Sequence, residues 1–295
     1  MNAEPAPIIE RHLEAPAVRL FALDRNPAGT PPLLFIHGWL DHGRGFDPLI
    51  AKLPQTFRTI ALDLRGHGRS GHAPGGLYHV TDYLADVDFL LDALGLESVH
   101  LVGHSLGGTV ALLYAAARPE RVRSLTSIES LGPSGGEPEA AVDRLRRFLR
   151  DLHKPALKRV YANVDEAAAK LRANNSGLSE EAALLFARHG TEPVSAPGGT
   201  DGGGTGVRFT FDPAHRRAFG MAFDEAQTLA LFRAISCPVQ VIHGTHGYSL
   251  DDAQMGARLQ ALRADPPIAV PGSHHVHLDS PDEVARHVAA FVTRV

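Results

Sequence analysis

Cysteine is almost missing. Cys237 is the single one among 295 residues, so no internal disulfide can form and a disulfide-stapled scaffold is excluded. Tryptophan is as scarce, with Trp39 alone, and aromatic residues make up only 6% of the chain. There is no large charge of one sign either, because 29 basic side chains face 33 acidic ones and leave a formal charge of −4. That balance offers no electrostatic reason to expect nucleic acid or an anionic membrane as partner. Four lysines stand against 25 arginines without any dense basic stretch. An unbroken apolar run at the N-terminus is absent too, since Glu4, Glu10, Arg11 and Glu14 interrupt the stretch where a signal peptide needs one. A cytoplasmic location is therefore expected. Residues 99–117 carry no formal charge over about the length of a bilayer span, yet they include His100, His104 and Ser105. A strand, a tight turn and a buried helix account for them better, so no membrane insertion is expected.

What the chain does have is size, a core and histidine. Its length is about twice the ~150-residue prior for one domain, and 44% hydrophobic with 21% charged residues is ordinary for a soluble globular protein. Residues 1–131 alternate β-rich runs with helical patterns, as a parallel sheet covered by helices would. Strands are predicted at 18–22, 33–37, 58–63, 99–103 and 122–129. Val80, Tyr83, Leu84, Val87, Leu90, Leu91 and Leu94 recur at spacings of three and four, and predict an amphipathic crossover helix that Gly95 ends. From 132 to 232 strand signals vanish and Ala-, Arg- and Leu-rich stretches predict an inserted helical cap, broken by the glycine-rich segment 198–206. The β/α rhythm resumes over 233–295, with strands at 239–243 and 268–270, a helix near 251–263 and a last helix. Ser280, Pro281 and Glu283 fit the N-cap, first turn and capping-box partner of that last helix.

Two phosphate-binding patterns fail on context. The glycine-rich segment lacks a following Gly-Lys-Ser/Thr. Gly66-His67-Gly68-Arg69-Ser70-Gly71 matches a dinucleotide fingerprint, but Pro74-Gly75-Gly76 argues for a continuing loop where a helix should open. The informative motif is Gly103-His104-Ser105-Leu106-Gly107, set between an apolar strand and the helical run 109–117. In such an elbow the central residue is held in a strained conformation and its neighbours two places away must be small. The elbow also aims the backbone N–H of Leu106, at a helix N-terminus, toward a developing negative charge. A chance Gly-x-Ser-x-Gly in a loop is the plain alternative. A serine hydroxyl needs a general base, and histidine has the suitable pKa. Of 17 histidines, His274, His275 and His277 lie in the loop between the last strand and the last helix. These three, with His243 and His246, could instead form a metal cluster, but no recognised ligand spacing is present, and no metal is expected.

These residues resemble the α/β-hydrolase-fold serine hydrolases, from about Leu33 to the C-terminus. The matching pieces are His37-Gly38-Trp39, Asp63-Leu64-Arg65-Gly66-His67-Gly68-Arg69-Ser70, the serine elbow, Pro119-Glu120-Arg121-Val122, and His274 with Leu278-Asp279 and Pro281. The resemblance implies an α/β-hydrolase fold, a mostly parallel doubly wound sheet, with an inserted cap. It implies that His274, seven residues before Pro281, is the catalytic histidine. It also implies that the backbone of Trp39 supplies a second oxyanion-hole N–H beside that of Leu106, with the Trp39 indole walling the acyl pocket. Asp63 and the Gly66–Ser70 loop look structural. The chain departs from the family at the triad acid, whose usual position, three residues after Gly244, holds Gly247. Glu129, at the end of the preceding strand, keeps the chain order serine, acid, histidine and is the preferred candidate. Asp251 and Asp252 are the alternatives. Glu129-Ser130-Leu131-Gly132-Pro133 and Gly272-Ser273-His274-His275-Val276-His277 look most like the serine hydrolase-like subgroup.

The expectation is thus a cofactor-free hydrolase of a small-molecule acyl substrate, monomeric or a homodimer. Phe148, Leu152, Phe186, Phe211, Phe219 and Phe223 are candidate pocket walls. The rival is a fold-preserving ligand-binding protein that has lost turnover.

Overall fold

Alternation of apolar side chains builds the centre of the molecule. In the computed structural model, residues 7–133, 135–175, 177–195, 205–248 and 253–295 are described. The first strands are β1 (Ile8–Glu14), β2 (Arg19–Arg25) and β3 (Pro32–Ile36), followed by the short helix α1 (Asp47–Ile50) and β4 (Arg58–Asp63). Then come α2 (Val80–Ala93), β5 (Val99–His104), α3 (Leu106–Ala117) and β6 (Val122–Ile128). A long excursion follows, with α4 (Ala141–Leu152), β7 (Val160–Tyr161), α5 (Val164–Asn174), α6 (Glu180–Gly190), β8 (Thr191–Ser195) and β9 (Thr205–Phe209). The chain returns through α7 (Glu225–Ala234), β10 (Val239–Gly244), α8 (Ala253–Leu262), β11 (Ile268–Val270), α9 (Val276–Asp279) and α10 (Pro281–Arg294).

Eight strands form one sheet in the order β1-β2-β4-β3-β5-β6-β10-β11. β1 pairs antiparallel with β2 and β2 with β4, and the remaining neighbours are parallel. In β3, Leu34 and Ile36 face the layer holding α2, α3, α7 and α8, while Leu33 and Phe35 face the layer holding α1 and α10. All four are completely buried. This is the period-2 signature of a strand covered on both sides. The parallel order makes the carboxyl ends of β3, β5, β6 and β10 converge on one rim of the sheet, where ligand sites of open α/β sheets form.

The predicted strands correspond to β2, β3, β4, β5, β6, β10 and β11, with ends shifted by up to three residues. β1 carried no usable pattern because it is exposed along most of its length and paired only through β2. The excursion is not wholly helical: β7, β9 and β8 make a three-stranded antiparallel sheet. Strands of two and five residues, one holding Pro193, fall below what alternation can register. This small sheet and α5 and α6 share their own core, centred on Tyr161, Phe186, Phe209 and Phe211. Helix α7 begins inside the stretch expected to be insert, yet Phe232 is fully buried in the sheet's helix layer. The capping box expected at the last helix is not formed. Pro281 does open α10, but the Ser280 hydroxyl donates to Pro271 O at 2.6 Å and caps nothing. No helix among the described residues is long and apolar enough to cross a membrane. Residues 196–204, which hold most of the glycine-rich segment, lie outside the described residues.

Candidate active site

The turn from β5 into α3 fixes Ser105. Its backbone has φ 51° and ψ −116°, a region a side-chain-bearing residue occupies only when its surroundings impose it. The surroundings do so: the Ser105 N–H donates to Ile128 O of β6 at 3.0 Å, and the two flanking glycines leave no room for side chains. A Cβ on Gly107 would stand 1.9 Å from Ile36 O, and one on Gly103 would stand 2.4 Å from Gly107 O. The tight approach of helix start to sheet is what the two-before, two-after spacing encodes. Leu106 is the first residue of α3, so its N–H has no intrahelical acceptor. The Trp39 N–H, in the turn after β3, likewise has no acceptor among the described residues. The Trp39 indole donates to His215 O at 3.3 Å.

Glu129 directly follows β6 and also takes a left-handed conformation, φ 54°. Its N–H donates to Ile242 O, and this bond holds its side chain between β6 and the loop after β10. The carboxylate is fully buried and accepts three N–H groups: Gly244 N at 2.6 Å, Tyr248 N at 3.0 Å and His274 Nδ1 at 3.0 Å. A buried carboxylate is tolerable only with such partners. Gly247 now has a reason to be glycine. A Cβ there would come within 2.0 Å of Glu129 Oε1. The place where the family pattern puts its acid is filled by the Glu129 carboxylate. Asp251 and Asp252 lie outside the described residues.

His104 of β5 packs against His274, His275 and His277, and of these four His274 alone hydrogen-bonds a carboxylate among the described residues. With Glu129 as acceptor, Nδ1 carries the proton and Nε2 keeps its lone pair. The His274 carbonyl accepts from His104 Nε2 at 2.8 Å, and Tyr248 lays its ring 4.5 Å from the His274 ring. Burial lowers His275 to about 4 and holds His104 and His277 well below the ordinary value, so these three stay neutral. Asp279 anchors the loop, its Oδ2 accepting Ser273 N and Ser273 Oγ, each at 2.7 Å.

Ser105, Leu106, Trp39 and Glu129 line one cavity of about 1260 Å³, and Tyr248 and His243 line it as well. Of the candidate walls, Phe148, Phe219 and Phe223 border it. Leu152, Phe186 and Phe211 do not. Phe186 and Phe211 fill the excursion's own core, because a helix-spaced aromatic is as useful inside a small domain as beside a ligand. The dinucleotide-like loop opens no helix. Instead Asp63 accepts Gly43 N and Arg69 N, and Arg65 makes a bidentate pair with Asp86, which is structural work. Behind the elbow, Asp41, His104 and His277 present ligand atoms within 4.8 Å of one another, all buried. Asp41 Oδ2, His104 Nδ1 and both His277 nitrogens lack a hydrogen-bond partner among the described residues. Of the five histidines weighed for a metal cluster, only His277 belongs to this trio.

The family profile described as the alpha/beta hydrolase fold matches residues 31–281. The chain belongs to the α/β-hydrolase-fold family. Within this hydrolase family it is similar to a probable serine hydrolase of Drosophila melanogaster, 30% identical, covering 88% of this chain and 80% of that protein. Serine hydrolase-like protein 2 of Homo sapiens is 28% identical over 99% of this chain and 96% of its own length. The crystal structure of a hypothetical protein from Pseudomonas aeruginosa PAO1 superposes with a TM-score of 0.83 at 34% identity, covering 96% and 98% of the two chains. The fold is that of an α/β hydrolase, and in sequence the chain is similar to the serine hydrolase-like proteins. Tyr248, whose backbone N–H helps hold Glu129, was not singled out in the sequence, and Gly244, which does the same, was read only as the end of its strand. The signal that could have found them is Gly247, an absent side chain where a carboxylate was due.

Proposed function

We propose that this α/β hydrolase cleaves a carboxylic ester or related acyl bond through an acyl-enzyme intermediate on Ser105. The hydrogen bond between His274 Nδ1 and the buried Glu129 carboxylate carries the proposal, because it leaves Nε2 as the basic atom of a histidine whose carbonyl is bonded by His104 of the elbow. Ser105 Oγ attacks the carbonyl carbon while His274 Nε2 takes its proton. The carbonyl oxygen becomes an oxyanion, which the N–H groups of Leu106 and Trp39 stabilise by about 3–4 kcal/mol per donor, as in a well-studied serine protease. Collapse of this intermediate expels the alcohol or thiol, which receives the proton from His274. Water then attacks the acyl-Ser105 ester, giving a proton to His274, which returns it to Ser105 Oγ as the acid leaves. Glu129 keeps Nδ1–H oriented and stabilises the imidazolium throughout.

The excursion from β6 to α7 serves in this reading as a cap that chooses the substrate. The rival view, a protein that has lost turnover, drew on Gly247 standing where an acid is usual. The hydrogen bond between Glu129 and His274 favours the hydrolase reading over that rival. A fluorophosphonate probe tests the proposal: wild type should label at Ser105 and the Ser105→Ala variant should not. Equal labelling of both, or of neither, overturns it.

A further inference from the structure

We propose that the cavity holds the oxyanionic group, a carboxylate or phosphate, of an acyl substrate through Arg144, Arg147 and Arg217. The inference rests on the hydrolase reading above and adds the substrate's charge to it. Five charged side chains besides histidine line the cavity: these three arginines, Arg258 and Glu129. Glu129 is spent on three N–H donors. Arg258 is neutralised by Glu225 at 2.5 Å and donates to Leu131 O at 2.9 Å. The other three have no carboxylate within ion-pair distance among the described residues.

How they are held matters. Arg144 Nη1 donates to Glu137 O at 2.8 Å, and Arg217 donates to Gly76 O and Lys154 O at 3.3 and 3.5 Å. Backbone carbonyls thus position both guanidiniums and neutralise neither. The Nε of each is buried without an acceptor. Arg147 makes no hydrogen bond or ion pair with a described residue, and its spacing from Arg144 puts the two on one face of α4, the face that carries Phe148 into the cavity. Three cations without a carboxylate partner among the described residues line one cavity, in a chain whose formal charge is −4. An anionic ligand supplies that partner, and the guanidinium fork suits a carboxylate or phosphate in two-point contact. The volume, about 1260 Å³, exceeds the ~300–1,000 Å³ of ordinary small-molecule sites and leaves room for an acyl chain between Ser105 and the arginines.

The anion can sit on the acyl side, as in a dicarboxylic half-ester, or on the leaving side, as the phosphates of an acyl-coenzyme A. Steady-state hydrolysis of p-nitrophenyl butyrate, p-nitrophenyl hemiglutarate and butyryl-coenzyme A distinguishes the two. One of the anionic substrates should exceed the neutral ester in kcat/KM. In the Arg147→Gln/Arg217→Gln double variant that ratio should fall by at least about tenfold, the effect of losing one charged hydrogen bond. Arg147 has no structural partner to lose, so the single Arg147→Gln variant should show the same direction even if the double variant folds poorly. A ratio unchanged in both variants, or no preference for either anion in wild type, overturns the inference while leaving the hydrolase reading intact. Binding keeps the two readings separate. Calorimetry of Ser105→Ala with glutarate and with coenzyme A should show binding weakened by Arg147→Gln, and no binding of either anion overturns the inference whatever the esters do.

Discussion

The two ends of the cavity are built differently. At the Ser105 end, strand ends, a helix start and close-packed glycines leave every group one position, and the Glu129 carboxylate has all its partners inside the chain. At the α4 end, the helix contributes no apolar side chain to any core, and Val142, Leu145 and Leu149 are exposed. Its cavity-lining arginines have no carboxylate partner among the described residues: Arg144 donates to the Glu137 carbonyl and Arg147 to nothing. The difference teaches where preorganisation resides. In the proposed reading the reacting groups are set at the sheet's rim before anything binds, and the arginines proposed to hold the substrate's anion stand on an element with few buried contacts, the low-stability end of a fold.

The largest effect expected from breaking this contrast is at Glu129. Glu129→Gln keeps the shape but offers His274 Nδ1 an amide in place of a carboxylate, so the tautomer is no longer enforced. A drop in kcat on the order of 10⁴ is expected, by analogy with the acid-to-amide change in a serine protease triad. Ester turnover by the purified variant checks it. Retention of activity within about tenfold would mean that the fixed end of the cavity does not depend on this carboxylate, and attention would shift to Asp251 and Asp252.

Much of the fixed end was legible in the chain, and little of the other end was. Ser105 could be read because an elbow imposes small residues at set positions, a local demand that leaves a local trace. His274 was singled out by the resemblance, through its place seven residues before Pro281. Glu129 was harder: its role depends on β10 and the loop after it, more than a hundred residues away in sequence, and the trace it left was the glycine at 247. The α4 end leaves no such trace. Nothing in the spacing of Arg144 and Arg217 says that carbonyls rather than carboxylates hold them, because that is decided by packing across the excursion. The same holds for Phe186 and Phe211, whose inward direction depends on a small sheet that alternation did not announce, and for Ser280, whose hydroxyl was drawn away by Pro271.

Acid should strike the fixed end first. Burial holds His42 and His67 down to about 4, keeps His37, His104 and His277 well below the ordinary value, and lowers His275 to about 4. All are neutral in the fold at pH 6, whereas the unfolded chain takes up these protons below about 6.5. The unfolded state therefore binds more protons between about 6.5 and 4, and stability falls as the pH falls through that window. Asp63, pushed up to about 6 by burial, works in the opposite direction, as do Asp41 and Asp86, which burial also raises, but the histidines outnumber them. A loss on the order of a few kcal/mol by pH 5 is expected. Thermal melts at pH 7 and pH 5 measure it, and a flat Tm would show that these imidazoles are not sealed in as the sheet end requires.

The smallest effect sharpens the contrast from the other side. Leu149→Ser should change stability by no more than about 0.5 kcal/mol, because the side chain is already 56% exposed and leaves no cavity behind. Phe186, in the neighbouring α6, is 7% exposed and packs its ring against His42 and His275 at 5.7 and 5.5 Å. Phe186→Ala should cost about 3–5 kcal/mol, the usual range for emptying a buried aromatic site. Urea unfolding of the two variants compares them directly. If Leu149→Ser destabilised as much as Phe186→Ala, α4 would be packed as firmly as the rest of the excursion, and the division between a rigid reacting end and a loosely held reading end would collapse.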